Sequence, residues 1–302
     1  MYTNFAQLIS SLNEGVVPRM ALAAAHDPHS VEAAVTAQKK GLVELTLVGN
    51  PKKIQPLVRE SGAIYAQIDL VTADDDAECA AQAVALIQKG YADFLMKGSL
   101  ATSTLLKAVL NKENGIRKSS LMSHITILEM PSYHKLLAVS DAGMIPHPTL
   151  EEKKLILHSA LVFLQQLGYE KPRAAILAAA ETVNDKAPES VEAAALADLA
   201  ANGAFDICEV AGPISLDLAI SKESAAIKNY NHAVAGDADL LLVPDLCCGN
   251  ALCKAFIYGG QAKMAGCILG AAAPIVLLSR SASAEEKYLS IALAAASCEC
   301  PA

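Results

Sequence analysis

Residues 19–51 read RMALAAAHDPHSVEAAVTAQKKGLVELTLVGNP, and this stretch decides the fold. The aliphatic run Arg19–Ala25 predicts a strand. Ser30–Lys40 carries its apolar residues at helical spacing and is opened by Asp27, Pro28 and Ser30. Leu45–Val48 is a second strand, closed by Gly49-Asn50-Pro51. The same rhythm continues through strands at Ala66–Val71 and Phe94–Lys97, each followed by a helical pattern. Strands alternating with helices predict mostly parallel sheets with helices on both faces. At Ser123–Glu129 and Leu136–Val139 the rhythm changes to two strands joined by Met130-Pro131-Ser132-Tyr133, an antiparallel pair. It then resumes to the C-terminus, through strands at Ala174–Leu177, Asp206–Val210, Leu240–Val243, Ala265–Leu269 and Pro274–Leu278. The expectation is an α/β protein of two α/β domains, residues 1–133 with 271–302 and residues 134–270, with an active-site cleft between them.

Composition agrees. The chain has 302 residues, 53% of them hydrophobic but only 4% aromatic, with no Trp. Parallel strands buried on both faces need such aliphatic runs. The longest uncharged stretch, Met264 to Leu278, contains Gly266, Gly270 and Pro274 and is shorter than the ~20 residues of a membrane-spanning helix. No basic, apolar leader precedes Arg19, so a cytoplasmic protein is expected. The formal charge of −8 argues against a nucleic-acid partner, because phosphate-backbone binders need basic faces. The eight cysteines include no Cys-x-x-Cys pair, so neither a zinc site nor a disulfide framework is expected. Cys298-x-Cys300 is the one spacing with redox potential.

Chemistry is expected where strands empty into polar loops. Met96-Lys97-Gly98-Ser99 runs into Thr102, Ser103 and Thr104 at a helix start. A lysine, a glycine that admits close approach, hydroxyls and free helix N–H groups suit an anion. A plain connection with Thr102 or Ser103 as N-cap explains the same residues. Asp141 ends a strand, at the edge where open α/β sheets hold ligands, and is read either as a substrate-orienting carboxylate or as a turn residue. His147 sits between two prolines and Thr149-x-x-Glu152 is a capping box. Ser279-Arg280 follows the last strand; the arginine fork matches phosphate and the serine suits an oxyanion. Glu286 fits a general base, yet Ser283-x-x-Glu286 is also a capping box. Asp237 and Asp239 read as metal ligands or as turn residues. Neither a dinucleotide Gly-x-Gly-x-x-Gly, nor a Walker loop, nor a Gly-x-Ser-x-Gly elbow is present.

Taken in order, these segments resemble the phosphate acetyl/butyryltransferase family. The resemblance rests on Met96-Lys97-Gly98 with Thr102, Leu105–Glu113, Ser123-His124-Ile125 and Tyr133–Leu137. It continues through Gly212–Asp217, Ala235–Asp239, Gly249-Asn250 and Ser279-Arg280. It implies exchange of an acyl group between CoA and inorganic phosphate, with acyl-CoA and phosphate as partners and CoA as substrate, and with no metal or other cofactor. It also implies a C-terminal helix that returns to the first domain and a homodimer or higher oligomer. Ser279, Arg280 and Glu286 occupy the positions regarded as catalytic in the acetyl branch, where the acid is an Asp. Lys97, Gly98, Thr102, Ser103, Asp141 and Asn250 are the substrate-binding candidates. Asn111-Lys112-Glu113 and Pro131–Lys135 lean towards the butyryl branch, although the Asp that branch often carries two residues after the arginine is Ala282 here. An acetyl-specific enzyme, a metal- and NAD-dependent dehydrogenase on a related fold, and a non-catalytic acyl-CoA-binding subunit are the alternatives.

Overall fold

A computed structural model describes residues 2–12, 16–279 and 282–298. Phe5, Leu8 and Leu12 recur at helical spacing and are buried, forming the inner side of a short helix, α1 (Phe5–Ser11). The opening stretch then folds as its pattern dictates. β1 (Arg19–Ala23) leads to α2 (Pro28–Lys39), which is capped by Asp27 and has Pro28 at its first position. β2 (Glu44–Gly49) and the Asn50 cap lead into α3 (Pro51–Glu60). β3 (Asp69–Thr72), α4 (Asp76–Gln88), β4 (Phe94–Lys97) and α5 (Thr102–Val109) follow. β1 pairs in parallel with both β2 and β4, and β3 pairs in parallel outside β2.

β5 (Ser123–Glu129) and β6 (Leu137–Ser140) form the expected antiparallel hairpin, with Thr126 opposite Val139. After it come α6 (Leu150–Gln166), β7 (Arg173–Leu177), α7 (Pro188–Ala201) and β8 (Glu209–Ile214). The chain continues through α8 (Leu216–Ile220), α9 (Lys222–Ile227), β9 (Leu240–Leu242) and α10 (Leu246–Lys254). The strand order is β5-β6-β9-β7-β8, parallel beyond the hairpin. Leu137, Val139, Ala175, Ile214 and Leu241 lie at the centre of its core.

β10 (Lys263–Leu269) and β11 (Ile275–Val276) are antiparallel, and β11 lies parallel to β4 with Val276 opposite Met96. α11 (Ala284–Cys298) packs on α2 and α1. One compact unit therefore holds Phe5–Ser120 and the chain from Ala265 onward, and the other holds Leu121–Met264 with the residues before Phe5. The sequence reading drew the boundaries after residues 133 and 270; the structure places β5 with β6, its ladder partner. Each unit is α/β with a mostly parallel sheet.

Among the described residues no helix is long and apolar enough to cross a membrane. Cys79, Cys253 and Cys267 are buried as small fillers, whereas Cys247 and Cys248 are exposed on α10. Cys300 lies outside the described residues. The fold positions the site because β1, β4 and β11 are parallel neighbours. Their carboxyl ends open on one edge, so the loops after them meet there.

Candidate active site

The loop after β4 is tied to the end of β1. Gly98 N donates to Ala23 O at 2.8 Å and Ser99 N donates to Ala24 O at 3.0 Å. A Cβ on Gly98 would stand 2.1 Å from Ala24 O, so the approach requires glycine. Ala24 takes a left-handed φ of 54° to present that carbonyl. Lys97 is buried, and its Nζ donates to Gly98 O at 3.1 Å and Leu100 O at 3.2 Å. The ammonium group is thus held within the loop.

Opposite stands the start of α2. Asp27 Oδ1 accepts from Ser30 N at 2.9 Å and from Lys287 Nζ at 3.0 Å. Burial pushes the Asp27 carboxyl up, but the bonds from Ser30 and Lys287 outweigh it and hold it below its ordinary range. Lys287 is buried on the first turn of α11. These groups border a cavity of about 330 Å³, whose polar lining includes Asp27, His29, Lys97, Ser279 and Lys287. Met96, Val276 and Leu278 supply its apolar lining. Asp27, His29 and Lys287 were not singled out from sequence. Asp27 read only as a helix opener, and nothing local links it to a lysine 260 positions away.

Of the expected residues, the cavity brings together Lys97, Gly98 and Ser279. Ser279 is exposed, and its carbonyl accepts from Ala282 N at 3.1 Å. Arg280 lies outside the described residues. Glu286 adopts the capping box: Oε2 accepts from Ser283 N at 2.7 Å and Oγ at 3.0 Å, and Glu286 N donates to Ser283 Oγ at 3.2 Å. All of the capping bonds to the carboxylate fall on Oε2. Thr102 and Ser103 do not line the cavity and neither caps α5; its N-cap is Ala101, and both hydroxyl residues lie exposed in the first turn.

Asp141 and Asn250 belong to the other unit. Asp141 follows β6, is 2% exposed, and accepts on Oδ1 from Gly143 N at 2.7 Å and Met144 N at 2.9 Å. It therefore makes a turn, as the plainer reading had it. Its Oδ2 is also buried and finds no hydrogen-bond partner among the described residues. Burial pushes this carboxyl up. His124 beside it is half-buried, and desolvation pushes its imidazole down to about 4. Asn250 Nδ2 reaches Ala142 O at 3.5 Å. His147 is exposed, and the Thr149–Glu152 capping box forms as expected.

Asp237 and Asp239 serve an ion-pair hub. Lys135, whose side chain is 0% exposed, reaches Asp239 Oδ1 at 2.6 Å and Asp237 Oδ1 at 2.9 Å. Arg173 pairs with Asp237 and donates its backbone N–H to Asp239 Oδ2 at 2.8 Å. His134 Nε2 bonds Asp237 Oδ1 at 2.8 Å. Both carboxylates are engaged by cationic groups at the amino ends of β6 and β7. Among the described residues no group of three or more His, Cys, Asp and Glu side chains is placed to hold a metal ion.

A family model described as "Phosphate acetyl/butaryl transferase" matches residues 74–295. The chain belongs to the phosphate acetyl/butyryl transferase family. It is 42% identical over 275 residues to a probable phosphate butyryltransferase of Bacillus subtilis, with 91% of each chain covered. It is 35% identical over 291 residues to a phosphate acetyltransferase of Thermotoga maritima, covering 96% of this chain and 99% of the relative. Among solved structures, a branched-chain phosphotransacylase from Enterococcus faecalis matches with TM-score 0.83 at 33% identity, covering 93% of this chain and 99% of that one. The transferase accordingly exchanges the acyl group of an acyl-CoA with inorganic phosphate. Both family substrates are anions, and the cavity of this transferase sets Lys97 and Lys287 against the single carboxylate of Asp27 among its described lining residues.

Proposed function

We propose that the Ser279 cavity is the place where a short acyl group passes between CoA sulfur and a phosphate oxygen, with butyryl preferred. The observation that supports this reading is the convergence of Lys97 and Gly98, at the end of β4, and Ser279, after β11, on one cavity. A phosphate oxygen attacks the thioester carbonyl; the tetrahedral oxyanion accepts from the Ser279 hydroxyl, then collapses to acyl phosphate as the thiolate leaves. Arg280 holds the phosphate bidentately, with Lys97 supplying nearby positive charge.

In the reverse direction the CoA thiol, with a pKa above neutrality when unperturbed, needs a base. Glu286 is that base through Oε1, while Oε2 keeps the cap. Glu286→Gln retains an acceptor for the cap and is expected to fold normally while losing about 10²-fold or more in kcat. Glu286→Ala is expected to lose that activity and, in addition, about 1 kcal/mol of stability with the cap. Normal kcat in the Gln variant would move the base elsewhere.

The transfer is direct and uses no metal or redox cofactor, and the enzyme is a cytoplasmic homo-oligomer. Following thiol release from acetyl- to hexanoyl-CoA tests the reading. Release that depends on phosphate, peaks at butyryl and is indifferent to EDTA is expected. Phosphate-independent release, or loss of activity with EDTA, would contradict it.

A further inference from the structure

We infer that Leu278 sets the acyl-chain length this transferase accepts, an inference that rests on the reading of the Ser279 cavity as the acyl-transfer site. The cavity of about 330 Å³ has two kinds of wall. Asp27, Lys97, Ser279 and Lys287 are polar, whereas Met96, Val276 and Leu278 are apolar. The acyl phosphate is divided in the same way, with an anionic phosphate head and an alkyl tail, and the thioester shares that alkyl tail. The polar wall suits the head, and the apolar wall suits an uncharged aliphatic tail in preference to a carboxylated one, whose charge would find no partner there.

The three apolar residues are not equivalent. Met96 and Val276 are ladder partners on adjacent parallel strands, and each is 1% exposed. Their volumes are fixed by the sheet and the helices packed on it. Leu278 lies two residues beyond the end of β11, is only half-buried, and immediately precedes Ser279. Its side chain can be shortened or enlarged without cutting into the sheet, and it stands next to the serine at which the carbonyl reacts. It is therefore the wall that limits how much tail fits behind the reacting carbon.

The test compares kcat/KM for acetyl-, propionyl-, butyryl- and hexanoyl-CoA with phosphate in the unaltered enzyme, Leu278→Ala and Leu278→Phe. The Ala variant is expected to shift its preference to longer chains and the Phe variant to shorter ones, by about tenfold or more per methylene. The ratio between chain lengths is independent of the fraction of active protein, so a partly unfolded variant still reports. Leu278→Val and Leu278→Met supply a gentler pair should Phe prevent folding. An unchanged chain-length profile in both directions, whatever the total rate, would overturn the role of Leu278 while leaving the transfer site intact. An unaltered enzyme that transfers no acyl group of any length would instead remove the site reading, and this inference with it.

Discussion

Ser279→Ala is expected to fold as the parent does and to lose about 10²–10³ in kcat, the usual effect of removing one oxyanion donor. The side chain is exposed at the end of the β11 segment, so its truncation leaves no large cavity. The backbone bond from Ala282 N to the residue-279 carbonyl survives the change. The loss falls on kcat more than on KM, because the hydroxyl is asked to bind the oxyanion and not the ground-state thioester. Steady-state thiol release with butyryl-CoA and phosphate, beside a thermal melt, separates the two effects. A kcat close to the parent's would show that another group stabilises the intermediate.

Lys135→Met is expected to reduce stability by about 3–5 kcal/mol, because it removes one partner of a buried charge cluster and leaves the others in place. Asp239 is 4% exposed and would keep only the Arg173 N–H bond; Asp237 would keep Arg173 and His134. The lysine also bonds the Asp237 carbonyl at 2.9 Å, which would lose its donor. On a unit of this size the change lowers Tm by on the order of 10 °C. Activity per folded molecule should change little, since the cluster lies at the amino ends of β6 and β7 and the proposed chemistry lies at carboxyl ends. An unchanged Tm by calorimetry would contradict the view that these carboxylates are structural.

The alternation of aliphatic runs with helical patterns was enough to read the parallel sheets, the β5–β6 hairpin and the Thr149 and Ser283 capping boxes. It misjudged β8, expected at Asp206–Val210 and found at Glu209–Ile214. Gly212-Pro213 looks like the end of a strand, but β8 pairs only with β7, and an edge strand tolerates a proline. α1 escaped notice because its apolar positions, Phe5, Leu8 and Leu12, are few and sit beside polar neighbours.

Within the site, Lys97, Gly98 and Ser279 were legible because each stands where a strand meets a polar loop. The Asp27–Lys287 pair was not, because its partners come together only when α11 returns to pack on α2. The capping role of Glu286 was legible from Ser283-x-x-Glu286, and the geometry assigns one carboxylate oxygen to that cap. Asp237 and Asp239 had the residue types of a metal site, but their neighbours in space are Lys135 and Arg173.

The most direct test of the central claim measures both products of one turnover. Purified enzyme, butyryl-CoA labelled in the acyl group, and inorganic phosphate should yield free CoA and labelled acyl phosphate in equal amounts, with no label retained on the denatured protein. Thiol release without acyl phosphate, or acyl label bound to the protein, would contradict direct transfer to phosphate in the Ser279 cavity.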